Sequence, residues 1–339
     1  MPSRSSTSSS EVASPARAGR SPLLDRRVWL ILALFFVALE LFTRTYLFSQ
    51  SKDFRRFRAY PARAERLVKT TGVTRVALIG NSATDRGVDS QVLEAGLAAA
   101  GRPAHVELFV ADQSRIDTWR FIFERYFAAP QRRPDLVVVT FYEDDLQDGN
   151  PVEIGRLAQF FTSVRDWPRV FDLSLTTLDD RASFVISSMW ATYAASDRIR
   201  ERLLEASVPR FRTYSETVNQ IVYEHESRSA RAGRGGAAAR PPTFKVLRDL
   251  LGRAAESGIK LCFVAYPTLS QPGREPYDLP LGLSEVLAGA GAPLIDLRHL
   301  PELNPALYAD EVHLTEQGRR PYSNALAAAL APALPPPVK

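Results

Sequence analysis

A serine, a histidine and a carboxylate suffice for acyl transfer if a fold brings them together. The chain offers Ser82 in the run GNSATDRGVD, and Asp310 and His313 in the run DEVHLTEQG. A serine hydroxyl is a weak nucleophile until an imidazole takes its proton. A carboxylate on the other ring nitrogen fixes the tautomer and stabilises the imidazolium. The Asp310-to-His313 step places carboxylate and ring within one turn of chain. Taken singly, each residue has a plainer use: Ser82 as a helix cap or turn residue, Asp310 as an N-cap, His313 as a loop histidine.

Other polar candidates are weaker. His105 opens a strand and reads as structural. His225, flanked by Glu224 and Glu226, lacks a second ligand at i+4 spacing, so neither metal nor cofactor is expected. His299, in Asp296-Leu297-Arg298-His299, ends a strand and is the strongest competitor to His313 as the base. Cys262 is the single cysteine and lies in an apolar run, so it forms no intramolecular disulfide.

The elements that must hold these groups follow from pattern. Apolar runs at 75–80 (RVALIG), 105–110, 136–142 (LVVVTFY), 259–266 (IKLCFVAY) and 293–297 read as strands. Helical spacing marks 88–100, 116–127, 244–256 and 315–330. Strands alternating with helices predict an α/β fold, a five-stranded parallel sheet with helices on both faces. Residues 149–242 read as a helical insertion over one edge of the site, ending in a Gly-, Ala- and Arg-rich loop at 228–242. Ser82 and the polar groups of 111–114 and 143–145 then fall at carboxyl ends of strands, where open parallel sheets carry their sites.

This set of blocks resembles the SGNH/GDSL hydrolase superfamily. That family has a Gly-x-Ser after its first strand, here Gly80-Asn81-Ser82. Its last block is Asp-x-x-His followed by Leu and a downstream Gly, here Asp310, His313, Leu314 and Gly318. The resemblance covers residues 73–145 and 259–332. It implies a flavodoxin-like three-layer sandwich, Ser82, His313 and Asp310 as a catalytic triad, and an oxyanion hole drawn from Ser82, Ala111, Ser114 and Asp144. Two departures stand out. The family's third block is Gly-x-Asn-Asp, whereas YEDD puts Asp144 at the Asn and Asp145 at the Asp. Its second-block Gly is matched by Ala111 or Ser114. An ionised Asp144 repels an oxyanion. The expectation is that it turns away to pair with Arg115 or Arg86, the alternative being protonation by burial beside Asp145.

The N-terminal part points to a membrane. Residues 1–27 read as a disordered tail. Residues 28–48 (VWLILALFFVALELFTRTYLF) are 21 residues, and at ~1.5 Å each they span the ~30 Å hydrocarbon core. A signal peptide is the competing reading, but no A-x-A cleavage site follows. Glu40 and Arg44 sit four apart on one face, to pair with each other or to face another membrane protein. Residues 49–72 are expected as a juxtamembrane linker, and 73–335 as the SGNH-like domain. Basic residues flank the apolar segment on both sides, so charge alone gives no orientation.

Net charge is +5, with the excess base near the membrane flank and around 228–240. No aromatic-and-basic motif accompanies it, so a nucleic-acid partner is not expected. An anchored SGNH domain is similar to bacterial proteins that work with membrane-bound O-acyltransferases on cell-surface polymers. That likeness implies a single-pass plasma-membrane protein with a periplasmic or extracellular domain. It also implies an acylated polysaccharide or acyl donor as substrate, and a membrane-bound O-acyltransferase as partner. The competing class is a non-catalytic scaffold that binds glycan or such a partner.

Overall fold

The computed structural model of the chain describes residues 26–211, 213–214, 217–218, 242–269 and 277–335. Five strands form one parallel sheet: β1 (Thr74–Gly80), β2 (Ala104–Val110), β3 (Leu136–Phe141), β4 (Lys260–Ala265) and β5 (Leu294–Asp296). Their order is β2-β1-β3-β4-β5, the flavodoxin-like order. β1 and β3 are covered on both faces, which is why their sequences are apolar without alternation.

The helices, in chain order, are α1 (Arg26–Phe42), α2 (Lys52–Lys69), α3 (Ser82–Gly87), α4 (Ser90–Ala99), α5 (Ile116–Tyr126) and α6 (Trp167–Leu173). They continue with α7 (Leu178–Met189), α8 (Ala191–Ala194), α9 (Ser196–Ser207), α10 (Lys245–Ser257), α11 (Leu283–Gly289) and α12 (Glu316–Leu330). One face of the sheet, through Ala77, Ile79, Val137, Val139 and Phe263, packs on α2, α5, α10 and α11. The other, through Val76, Leu78, Val138, Cys262 and Val264, packs on α4 and α12.

Two expectations change here. The stretch expected as a linker contains α2, whose Phe54, Phe57, Tyr60, Ala64 and Leu67 are buried against the sheet. Its apolar residues recur every three or four positions, so burying them anchors the helix to the domain. The apolar segment continues past α1 through a π-helical turn, Thr43–Leu47, to Gln50. Residues Arg26–Gln50 thus form one helix of 25 residues, long and apolar enough to cross a membrane. It does not project alone. The carboxylate of Glu40 pairs with Arg44 at 2.7 Å and accepts the N–H groups of Ala191 and Thr192 at 2.8 and 2.9 Å. The insertion therefore docks on this helix, and the Glu40/Arg44 pair is satisfied within the chain. His225 and the 228–241 loop lie outside the described residues.

Candidate active site

The site lies at the carboxyl ends of β1, β2 and β3, beside the point where the sheet order reverses around β1. β1 ends at Gly80. A Cβ there would overlap the Thr84 side chain and lie 2.5 Å from Thr140 Oγ1. Only glycine allows α3 to start this close to the sheet. Asn81 caps α3, its Oδ1 accepting the Ala83 N–H at 3.1 Å, and Ser82 becomes the first helical residue. At that position a backbone N–H has no intrahelical partner. The Ser82 N–H has no acceptor among the described residues.

His313, the expected base, lies in the loop between β5 and α12. Tyr308 and Leu314 form an isolated antiparallel bridge, and Thr315 donates back to the Leu307 carbonyl at 2.8 Å. Gly318 sits against that carbonyl, 2.5 Å from where a Cβ would lie, which explains the motif's glycine. Within this closed loop, Asp310 Oδ1 accepts the N–H groups of Val312 and His313 at 3.0 and 2.8 Å. Asp310 Oδ2 lies 2.8 Å from His313 Nδ1, and His313 Nε2 lies 2.8 Å from Ser82 Oγ. Burial acts to raise the Asp310 pKa. The two amides and the imidazole outweigh it and hold the carboxyl below its ordinary value. The structure thus brings Ser82, His313 and Asp310 into one hydrogen-bonded chain, 231 residues apart in sequence. His299 lines a separate cavity with Thr268 and Tyr308. His105 hydrogen-bonds Glu94 at 2.9 Å.

The residues matched to the oxyanion block are placed differently from one another. The Ala111 N–H donates to the Gly80 carbonyl at 3.1 Å, extending the β1–β2 ladder. The Ser114 N–H donates to the Ala111 carbonyl at 3.2 Å. The Ser114 hydroxyl donates to the same carbonyl at 2.6 Å and accepts the Trp119 indole N–H at 2.7 Å. Neither residue has a donor left for a ligand. The amides of Asp112 and Gln113, between them, have no acceptor among the described residues, and both residues line the same cavity as Ser82 and His313. Gln113 has φ +56°, the left-handed region where glycine is at ease. Within 111–114 the left-handed position is therefore 113, whereas the Ala111 and Ser114 amides are already bonded.

Asp144 is 3.4 Å from the Arg115 guanidinium, half exposed and not among the cavity-lining residues. The buried carboxylate is Asp145. Its Oδ2 accepts the Asn81 amide at 2.9 Å and the Tyr142 N–H at 3.1 Å. Burial pushes its pKa up to about 8, against the opposing pull of those donors and Arg115. Of the two arrangements open to Asp144, the arginine pairing is the one present, and the carboxyl whose pKa burial raises is its neighbour, itself 3.5 Å from Arg115.

No family model matches the sequence, and no curated protein matches it. Among solved structures, the chain is similar to a lipase/acylhydrolase from Enterococcus faecalis. Identity is 14%, covering 78% of this chain and 98% of that one, with a TM-score of 0.38. It is also similar to a protein from Lactobacillus plantarum, at 12% identity, 77% and 98% coverage and a TM-score of 0.32.

Sequence reasoning missed the groups that hold the loop after β2. The Arg56 guanidinium, on α2, is buried and donates to the Val110 carbonyl at 3.1 Å, Asp112 at 2.9 Å and Asp85 at 2.7 Å. Lys52 reaches the same Asp85 oxygen at 2.9 Å. Asp85 is on the helix that begins with Ser82. Arg156, from the insertion, donates to the Asp112 carbonyl and, at 3.3 Å, to the Gln113 side chain. Burial tends to raise the Asp112 pKa, but Arg56 wins and keeps it low. The available signal was the i, i+4 pair Lys52/Arg56 on the polar side of an amphipathic stretch. The cavity itself is about 810 Å³, lined on one side by α9 (Asp197, Arg198, Glu201) and also by Leu47 and the buried Phe48 near the end of the apolar helix.

Proposed function

We propose that the chain is a membrane-anchored serine esterase or O-acyltransferase. It acts on acyl esters, acetyl above all, of a cell-surface polysaccharide. The observation that carries this reading is the Ser82–His313–Asp310 chain of hydrogen bonds, at 2.8 Å on each side of the imidazole. In the acylation step, Ser82 Oγ attacks the ester carbonyl while His313 Nε2 takes the hydroxyl proton. Asp310 holds Nδ1–H and stabilises the imidazolium. Collapse of the tetrahedral intermediate releases the alcohol, which receives the proton from His313, and leaves an acyl-serine. Water or a sugar hydroxyl then attacks that ester with the same base, giving hydrolysis or transfer. The oxyanion is assigned to the Ser82 amide at the start of α3 and to the free amides of Asp112 and Gln113. The carboxylates and arginine of the α9 wall suit a ligand rich in hydroxyls.

The anchor, α1 with its continuation to Gln50, is assigned to the plasma membrane, with the α/β domain on the periplasmic or extracellular side. A membrane-bound O-acyltransferase is the proposed donor-side partner. The rival reading is a non-catalytic scaffold. It is favoured by Asp144, because the side chain at the family's oxyanion asparagine is turned to Arg115. A fluorophosphonate probe on detergent-solubilised full-length protein separates the two. The enzyme reading requires covalent labelling of wild type that disappears in Ser82→Ala. A folded wild type that takes no label supports the scaffold.

A further inference from the structure

We propose that the tip of the helical insertion, the end of α7 together with α8, is a second membrane contact that lies in the lipid bilayer beside α1. The reasoning begins with length. The uncharged run 28–39 is 12 residues. At ~1.5 Å per residue it covers roughly 18 Å, well short of the ~30 Å hydrocarbon core. To cross, the helix must be immersed for about another 12 Å, through Glu40 and Arg44 to about Phe48. Whatever is fixed to residues 36–44 is then carried to membrane depth.

What is fixed there from the insertion is the segment 189–192; at the Arg44 end, Arg58 of α2 also donates to the Arg44 carbonyl at 2.8 Å. The Trp190 ring packs edge-on against Phe36 with centroids 5.3 Å apart. Glu40 accepts the Ala191 and Thr192 N–H groups, and the Thr192 hydroxyl at 3.0 Å. The Thr43 and Thr192 hydroxyls are 3.0 Å apart, and Arg44 donates to the Met189 carbonyl at 3.4 Å. This arrangement suits a low-dielectric setting. The carboxylate has an arginine and three further donors, and the start of α8, whose N–H groups lack helical partners, is capped. Each group that is costly to immerse has its partner in the chain.

The outer surface of the tip matches. Ala182, Ile186 and Met189 lie on one exposed stripe of α7, followed by Tyr193 on α8. Met189 is 67% exposed to solvent. The stripe is continuous with the exposed Phe36, Val37 and Leu41 of α1, through the Phe36–Trp190 contact. Polar residues Asp179, Asp180 and Arg181 sit at the opposite, first turn of α7. A helix that is polar at one end and apolar toward the other, bonded to a spanning helix at the apolar end, fits oblique immersion in the leaflet. Two points of attachment fix the domain's tilt. They also hold the cavity wall at Leu47 and Phe48 at a fixed distance from the membrane.

Depth measurement on the full chain tests this. Cys262 is fully buried, so single cysteines introduced at the surface take a nitroxide label selectively. Met189→Cys and, three residues away, Ile186→Cys report on the tip. Leu34→Cys reports on the anchor and Lys69→Cys on water. In phosphatidylcholine vesicles containing only this protein, the Met189 and Ile186 labels should collide with oxygen several-fold more than with a water-soluble nickel chelate, as the Leu34 label does. The Lys69 label should show the reverse. Nickel access at Met189 equal to that at Lys69, with Leu34 in lipid, overturns the tip contact while leaving the anchor. Tip labels shielded from both reagents overturn it in favour of a second copy covering the stripe. Nickel access at Leu34 as well removes the anchor and the proposal together.

Discussion

The Ser82–His313–Asp310 side of the cavity is assembled from residues in two short motifs, each held by its own local backbone. The side assigned to the oxyanion is assembled from backbone amides held by distant arginines. Asp310 gets its geometry from amides two and three residues away, and Ser82 from the cap next to it. The Asp112–Gln113 loop depends on Arg56 from α2 and Arg156 from the insertion, 56 and 44 residues away from Asp112. Local devices are legible in sequence and hard to lose. Long-range devices leave almost no local trace, and they couple the site to α2 and the insertion.

Substitutions sharpen this contrast. The largest effect should come from Ser82→Ala, which removes the nucleophile: turnover of a chromogenic acyl ester should fall by ~10⁴-fold or more with the melting temperature little changed. Asp310→Asn should follow, with a loss of ~10²- to 10⁴-fold, because an amide favours the wrong imidazole tautomer. Turnover preserved in both variants would leave the scaffold reading standing. Arg56→Ala should behave differently in kind. It strands Asp112 and leaves Asp85 with Lys52 alone, so it should cost about 3 kcal/mol in denaturant unfolding, the low end because both carboxylates keep some contact with water. Turnover should fall as well, since the Asp112–Gln113 loop and α3 lose a common tie. A variant with stability lowered and kcat intact would show that the loop is held by Arg156 alone.

How much of this was readable beforehand follows the same division. The five strands are apolar runs, each formed within a residue or two of the expected ends; β1 to β4 are largely buried, and the short edge strand β5 is only partly so. Ser82, Asp310 and His313 lie within hydrogen-bonding reach of one another, and the two glycines in their motifs, Gly80 and Gly318, make that backbone approach possible. Helix α2 was read as a linker because its charges outweigh its apolar residues on average, although those recur at helical spacing. The expected oxyanion donors part from the structure for a further reason. Sequence gives residue types, but an amide's availability depends on whether a neighbouring carbonyl already accepts it. Ala111 and Ser114 are spent on the Gly80 and Ala111 carbonyls, and only the fold reveals this.

The paired carboxylates after β3 give the next prediction. Asp145 has a folded pKa of about 8, against roughly 3.9 for an unfolded aspartate. Between those values the native state holds a proton that the unfolded state has released. Stability from this group is therefore full below about pH 4 and declines as pH rises toward 8, by up to about 1.4 kcal/mol per unit. Asp145→Asn keeps an oxygen for the Asn81 amide and the Tyr142 N–H and removes the titration. Its thermal stability should change less between pH 5 and pH 9 than that of wild type, measured as about a few kcal/mol of difference at the alkaline end. Parallel curves would mean that Asp145 is ionised in the folded protein and matched by Arg115.

Asp144→Asn should have the smallest effect, although it supplies the asparagine that the sequence resemblance calls for at that position. The reason is placement. Asp144 is 46% exposed on its side chain, it lies 3.4 Å from Arg115, and it does not line the cavity. An exposed pair of this kind is worth about 0–1 kcal/mol, and the new amide still hydrogen-bonds outward. Turnover should stay within roughly two-fold of wild type, since a group that does not meet the oxyanion neither repels nor binds it. Combining Asp144→Asn with Arg115→Ala makes the comparison informative, because the amide then has no outward partner. If the loop can swing, the double variant should exceed the product of the single effects, as residues sharing one contact do. If the Glu143 backbone, at φ +48°, holds the loop in place, the two effects should simply multiply. A ten-fold or greater loss in Asp144→Asn alone, with the fold intact, would assign this carboxylate a catalytic part and end the division between a motif-built half and a backbone-built half.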